Sequence, residues 1–278
     1  MVSARNIKKN KIGFMQGRLV PSEKKGRIQY FPYKNWKKEI LIAKKNKFYL
    51  MEWTVNIENY KKNPIFSDNQ ILKLKKFLKK KKIKIHSVTC DFFMQKPFFK
   101  NSKNQFVLNI LKKLIENGQK LGIKFFVVPL VDQSSLKNFQ QENLLIKEMK
   151  KFNKYLQSKS QILFEIDYEP KKILKFMKKF KNRQFGINYD TGNSAGMGYN
   201  FYDEKFYFKY VKNIHIKDKR IRGKTVRLGD GDFDFKSFFN YIKRINYKGN
   251  LILQTARSKN NNHLYELKKN RSFIGKFL

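Results

Sequence analysis

Short apolar runs rich in β-branched and aromatic residues alternate with lysine-rich stretches of helical period, and the alternation repeats eight times along 278 residues. This repeat constrains the fold more than any other feature of the chain. The runs cover roughly Ile12 to Gln16, Phe48 to Trp53, Ile83 to Cys90, Ile123 to Leu130, Gln161 to Asp167, Phe185 to Asp190, Val211 to Lys217 and Asn250 to Thr255. Amphipathic stretches such as Gln105 to Leu121 and Phe235 to Ile245 lie between them, and a closing helix is expected after Arg257. Strands linked through helices lie parallel in one sheet. Eight such units, in a chain near the roughly 250 residues this architecture needs, favour an α/β fold closed as a (β/α)8 barrel. The runner-up is an open, doubly wound sheet. No proline-rich or glycine-rich linker and no internal repeat divides the chain, so residues 1–278 read as a single domain.

Composition excludes several classes. The single cysteine, Cys90, rules out an intramolecular disulfide framework and any paired-cysteine zinc module. No run reaches the ~18 to 20 consecutive apolar residues of a membrane span, and the opening segment lacks the apolar core of a signal peptide, so a cytoplasmic protein is expected. The formal net charge of +42, from 63 basic and 21 acidic residues, would ordinarily point to nucleic acid or an anionic membrane. Here the lysines are scattered over predicted helix faces and accompany abundant Asn, Ile, Phe and Tyr, the pattern of an AT-rich genome. Neither nucleic acid nor membrane is therefore expected as a partner. A positive field would still concentrate anionic small molecules.

In a barrel of this kind the active site lies at the C-terminal ends of the strands, so polar residues that close apolar runs are the candidates. The fifth run ends ILFEID with Glu165, the sixth FGINYD with Asp190, the seventh NIHIKD with His215 and the eighth LILQTAR with Gln254. Two carboxylates, an imidazole and an amide from four successive strands would converge inside the mouth. Oxygen ligands with one imidazole suit a single divalent ion, Mn²⁺, Mg²⁺, Co²⁺ or Zn²⁺. Such an ion would hold the carbonyl and neighbouring hydroxyl of a ketose and stabilise the enediolate formed when Glu165 removes the proton between them. Each residue also has an ordinary structural reading: Glu165 as a lysine partner, Asp190 as a helix N-cap, His215 as a core histidine. Their shared position on successive strands argues for the set.

The motifs KIGFMQGRL, FYLMEW, IHSVTCDFFM, FEID, NYDTGN, NIHIKD, LGDGDFDF and LILQTAR resemble, nearly end to end, the sugar phosphate isomerase/epimerase family with a xylose-isomerase-like TIM barrel. The resemblance implies one divalent metal held by Glu165, Asp190, His215 and Gln254, and isomerisation or epimerisation of a sugar or sugar phosphate. It places Asn193 where relatives often carry a substrate-binding histidine. A homodimer is compatible with it. The departure is Gln254, because the sugar 3-epimerases usually have glutamate there. An amide takes no proton near neutral pH, so a one-base aldose-ketose isomerisation through Glu165 is favoured over two-base epimerisation.

Further candidates sit at or beyond strand ends. Arg18, Lys217, Arg220, Arg222 and Arg257 could clamp a phosphate or carboxylate; Glu52 could line the pocket beside Trp53. Asp218 is expected to orient His215, and Asp91 is an alternative acid. Cys90, His86 and His263 read as structural. Gly223-Lys224-Thr225 lacks the earlier glycine of a phosphate loop, and Asp230, Asp232 and Asp234 lack the glycine and glutamate of a calcium loop. No nicotinamide cofactor is implied. Two other enzyme readings stay open or recede: a keto-polyol dehydratase shares the same metal and base, whereas the resemblance of endonuclease IV to this fold comes with a histidine-rich trinuclear zinc cluster that three histidines do not supply. A sugar-binding barrel that lost turnover with its second glutamate is the non-catalytic alternative.

Overall fold

The computed structural model describes residues 11–24, 28–100, 104–258 and 260–278. Eight parallel strands close a barrel: β1 (Ile12–Met15), β2 (Leu50–Val55), β3 (Lys84–Cys90), β4 (Phe125–Leu130), β5 (Gln161–Ile166), β6 (Phe185–Asp190), β7 (Val211–Ile216) and β10 (Asn250–Leu253). Each pairs with its neighbours in sequence, and β10 returns to β1 with Ile12 opposite Leu251. A two-stranded antiparallel ribbon, β8 (Asp218–Lys219) with β9 (Thr225–Val226), projects from the loop after β7.

The long intervening helices are α1 (Trp36–Lys45), α2 (Asp68–Lys81), α4 (Gln105–Lys120), α5 (Phe139–Lys151), α6 (Pro170–Lys178), α9 (Phe235–Arg244) and α10 (His263–Gly275). Three short ones are α3 (Phe92–Gln95) and α7 (Thr191–Met197), which follow the C-terminal ends of β3 and β6, and α8 (Phe201–Glu204), whose Phe201 packs on Phe238 and Tyr241 of α9. Among the described residues no helix is long and apolar enough to cross a membrane. The expected strands and helices therefore form within a few residues of their predicted bounds, and the barrel, not the open sheet, is what they build.

Alternation along the strands separates two environments, because successive side chains of a strand point to opposite faces. The outward-facing set, among them Phe14, Met51, Trp53, Val88, Phe164, Tyr189, Ile214 and Leu253, packs beneath the helices in the main core. Aromatic rings dominate it: Phe164 stacks on Phe185 and meets Phe176 edge-on at 5.4 Å, while Tyr189 stacks on Phe238 at 5.8 Å. Inside the barrel, Met15, Leu50 and Ile252 make a small separate apolar cluster. Gly13 lies against it, and a Cβ there would stand 2.8 Å from both Leu50 and Ile252, so glycine is what lets these strands approach. Beyond that layer, toward the C-terminal ends, the interior turns polar.

Candidate active site

Polar inward-facing residues of β2, β3, β6 and β7, namely Glu52, Ser87, Thr89, Asn188, Asn213 and His215, form one hydrogen-bonded cluster. Glu52 is completely buried. It meets His215 Nε2 at 2.7 Å and accepts from Ser87 Oγ at 2.5 Å, from Asn213 Nδ2 at 2.9 Å and from Thr89 Oγ1. Burial opposes its charge, but the adjacent imidazole and the hydroxyl donors hold the carboxyl below its usual range. Asn213 Nδ2 also donates to Asn188 Oδ1 at 2.8 Å, and Asn188 Nδ2 donates to Glu165 Oε2 at 2.9 Å.

The other face of the His215 ring meets the carboxylates of β5 and β6. Nδ1 lies 3.0 Å from Glu165 Oε2 and 3.9 Å from Asp190 Oδ2. Burial pushes the imidazole toward neutrality, yet Glu52 and then Glu165 overcome it and raise His215 to about 10. Glu165, Asp190 and His215 are all buried and offer ligand atoms within 4.8 Å of one another. Asp190 does two jobs. Its Oδ1 caps α7, accepting from the backbone N–H groups of Gly192 at 2.8 Å and Asn193 at 2.9 Å, while Oδ2 pairs with Lys217 Nζ at 2.8 Å. The helix-cap reading of Asp190 is thus correct for one oxygen and leaves the other facing the site. Burial disfavours this pair, but Lys217 and His215 keep Asp190 ionised below its ordinary value, and Asp190 and Glu165 in turn raise Lys217.

The cluster opens onto a cavity of about 300 Å³ at the mouth, lined among others by Glu165, Asn193, Lys217, Lys219, Asp91, Gln29 and Gln254. Asn193 Nδ2 donates to Glu165 Oε1 at 2.8 Å and its Oδ1 accepts from Lys217 Nζ at 3.1 Å. Glu165 consequently presents Oε2 to His215 and Oε1 to the cavity side. Gln254 donates through Nε2 to Gln29 Oε1 at 2.8 Å, and its buried Oε1 has no hydrogen-bond partner among the described residues.

This donor set fits a divalent cation. Two carboxylates and an imidazole converge, the ring's far nitrogen is held by a carboxylate as in carboxylate–histidine–metal triads, and Gln254 supplies an uncommitted buried oxygen of the kind that a cation satisfies. Lys217 Nζ is the resident positive charge at Asp190 and would have to yield that oxygen to an ion.

Several expected roles fall to other residues. Glu52 does not line the cavity; it is the carboxylate that holds His215. Asp218 does not touch the imidazole. Its carboxylate accepts from the backbone N–H groups of Gly229 at 2.9 Å, Gly231 at 3.0 Å and Phe233 at 3.3 Å, and so ties down the LGDGDFDF loop. Arg220 pairs with Asp232 at the surface, and Arg257 donates to the carbonyl oxygens of Val20 at 2.6 Å and Ile28 at 3.4 Å. Neither lines this cavity. Arg18 is buried and donates to the carbonyls of Thr255 and Ile28, each at 2.9 Å. Lys217 and Asn193 do reach the cavity. Sequence reasoning missed Ser87, Thr89, Asn188 and Asn213. Their signal was present as polar residues at every second position of otherwise apolar strands.

Residues 40–274 match the family described as xylose isomerase-like TIM barrel. The chain belongs to that family. Solved structures similar to this xylose isomerase-like barrel include an IolI protein with a bound zinc atom, at 14% identity and TM-score 0.72, covering 96% of this chain and 97% of that one. A 3-keto-D-glucoside 4-epimerase from E. coli is 12% identical with TM-score 0.68, covering 96% and 98%. A mannonate dehydratase from Streptococcus suis is 12% identical with TM-score 0.65, covering 96% and 93%. No curated protein sequence matches the chain. At these identities the structural likeness establishes the barrel and nothing finer.

Proposed function

We propose that this xylose isomerase-like barrel is a metal-dependent sugar or sugar-phosphate isomerase/epimerase with Glu165 as its base. The observation that carries the reading is the buried Glu165, Asp190 and His215 set, whose ligand atoms lie within 4.8 Å of one another beside a polar cavity of sugar size. Epimerase and dehydratase names among structures of the same fold support it, as does the zinc atom in the IolI protein.

Glu165, Asp190 and His215 would hold one divalent ion, with Gln254 Oε1 as a fourth donor, and the ion would polarise a ketose carbonyl. The protein's own groups do the remainder. Glu165 takes the proton from the carbon bearing the neighbouring hydroxyl, and the Asn193 amide, already 2.8 Å from Glu165 Oε1, fixes the carboxylate against that carbon. Lys217 is near enough to Asn193, at 3.1 Å, to bind a substrate oxygen beside it. Glu52 keeps His215 oriented, and the closed barrel floor excludes bulk water from beneath.

The test is hydrogen exchange. Protein loaded with Zn²⁺ or Mn²⁺ is incubated in heavy water with ketohexoses and their 6-phosphates, and deuterium at the carbons flanking the carbonyl is read by NMR. Exchange by the wild type, lost in Glu165→Gln assayed with the metal added to saturation, is the expected result. Exchange that persists in Glu165→Gln would sink the assignment of the base. Loss of water from a sugar acid in a parallel incubation would move the reading to a dehydratase, and binding of metal and sugar with no exchange would move it to a non-catalytic barrel.

A further inference from the structure

Asp91 is a buried carboxyl group on the cavity wall that the proposed reaction does not use. It follows β3 directly, is 3% exposed and lines the same cavity as Glu165. In a chain with 63 basic residues, no lysine or arginine pairs with it among the described residues. Its only hydrogen-bond donor there is the Gln29 amide, whose Nε2 lies 2.9 Å from each of its oxygens.

The same Gln29 side chain accepts from Gln254 Nε2 at 2.8 Å. A continuous run of side chains, Gln254 to Gln29 to Asp91, therefore crosses the wall from the position where a second carboxylate is lacking to a carboxylate three strands away. Each amide in that run is oriented by its neighbours: Gln29 must turn its NH₂ to the acceptor Asp91 and its oxygen to Gln254. Asp91 is in this way held against the cavity without being neutralised by a cation. Glu165 reaches the cavity from β5 and Asp91 from the end of β3, with β4 between them on the barrel wall, and both carboxyl groups line the space a sugar would fill.

We propose that Asp91 is the second proton-transfer group of this site, replacing the carboxylate that Gln254 lacks, and that the chain therefore catalyses epimerisation by two groups. The inference rests on the reading of Glu165 as base. Glu165 carboxylate takes the proton from the hydroxyl-bearing carbon, the C–H electron pair becomes the enediolate double bond, and the carbonyl π pair moves onto oxygen. Protonated Asp91 then gives its proton to the same carbon from its own side. The enediolate pair forms the new C–H bond and the carbonyl returns. Glu165 ends protonated and Asp91 ionised, and both reset by exchange with water. Burial raises the Asp91 carboxyl to about 7, so acid and base forms are both available near neutrality.

The experiment compares zinc-loaded wild type, Asp91→Asn, Asp91→Ser and Glu165→Gln in heavy water with D-ketohexoses and their 6-phosphates. Thermal midpoint and zinc content are recorded for each. NMR reads two quantities separately: deuterium in recovered sugar, and inverted product. Wild type should give inverted product carrying deuterium at the inverted carbon. Both Asp91 variants, folded and zinc-loaded, should lose inversion by 100-fold or more, keep KM within about threefold, and still exchange recovered sugar through Glu165. Glu165→Gln should lose both. Inversion at the wild-type rate in either folded Asp91 variant overturns the proposal and leaves the Glu165 reading standing. Equal loss of exchange and inversion in both Asp91 variants also overturns it, because Asp91 would then act on binding or structure. No exchange by wild type with any of these sugars overturns both assignments together.

Discussion

The two walls of the cavity are built from the same kind of strand end but differ in charge. On β5, β6 and β7, Glu165, Asp190, His215 and Lys217 form a tight ionic cluster backed by Glu52, with contacts of 2.7 to 3.9 Å. At the ends of β10 and β3 and in the loop after β1 the groups are Gln254, Asp91 and Gln29, joined by amide hydrogen bonds of 2.8 to 2.9 Å, and Asp91 makes no ion pair among the described residues. One wall brings two carboxylates and an imidazole within 4.8 Å of one another, the set proposed above to hold a cation. The other is suited to holding and orienting a polar substrate, since amides supply directed donors and acceptors without a net field. A buried ionic cluster is costly to interrupt at any one member, whereas the amides of the other wall, Gln254 and Gln29, should tolerate change with modest effects on stability and metal binding.

That contrast can be broken experimentally. The largest expected effect is on the ionic wall: His215→Ala should reduce bound zinc from about one ion per chain to none, measured by elemental analysis on protein purified without chelator. Retention of the ion would show that the cluster is structural only. Next, Lys217→Met removes the cation from Asp190 and should lower stability by about 3 kcal/mol without metal. Added zinc should restore most of that loss by taking the vacated oxygen, as read from thermal midpoints with and without the ion. Glu52→Gln should weaken zinc binding by about 10- to 100-fold, because the imidazole loses the carboxylate that orients it.

On the amide wall, Gln254→Glu should tighten zinc binding by only about tenfold, roughly 1.4 kcal/mol, because it adds a negative ligand to a site whose main donors are already in place. An unchanged affinity in calorimetry would place position 254 outside the ion's reach. The last effect concerns the loop that frames this wall and is seen only in the pH dependence of stability. Glu39, on α1, accepts from Gly17 N–H at 2.8 Å and Leu19 N–H at 3.0 Å, and Gly17 takes a φ of +89° to make that turn. Burial raises Glu39 from 4.5 to about 7. A carboxyl raised in the folded state binds its proton more tightly there than in the unfolded chain, so its contribution to stability is complete below pH 4.5 and declines as pH rises through about 7. Glu39→Gln should flatten the denaturant-midpoint profile between those values; an unaltered slope would assign the pH dependence elsewhere.

How much was legible in the sequence follows the same division. Glu165, Asp190 and His215 were legible because each closes an apolar run, and a barrel brings successive strand ends to one mouth. Asn188 and Asn213 lie within the runs, not at their ends, and so escape a search of strand ends, though alternation alone puts them inside the barrel. Gln29 was illegible. It sits in the loop after β1, far in sequence from Gln254 and from Asp91, and nothing in its neighbourhood marks it as the link between them. Asp218 lost its expected role to Glu52 for a related reason: nearness in sequence suggested that Asp218 holds His215, but Asp218 turns to the backbone of the 229–233 loop and the partner came from β2.

The sequence by itself determined the barrel, the order of its strands and the three groups able to hold an ion, because period and strand-end position are local properties that a closed parallel sheet converts directly into place. Only the tertiary structure decided which carboxylate orients His215, where Lys217 puts its charge, and that Gln29 connects Gln254 to Asp91. Those contacts join residues 163, 27 and 225 or 62 positions apart. They depend on barrel closure and side-chain rotamers, which no local pattern encodes.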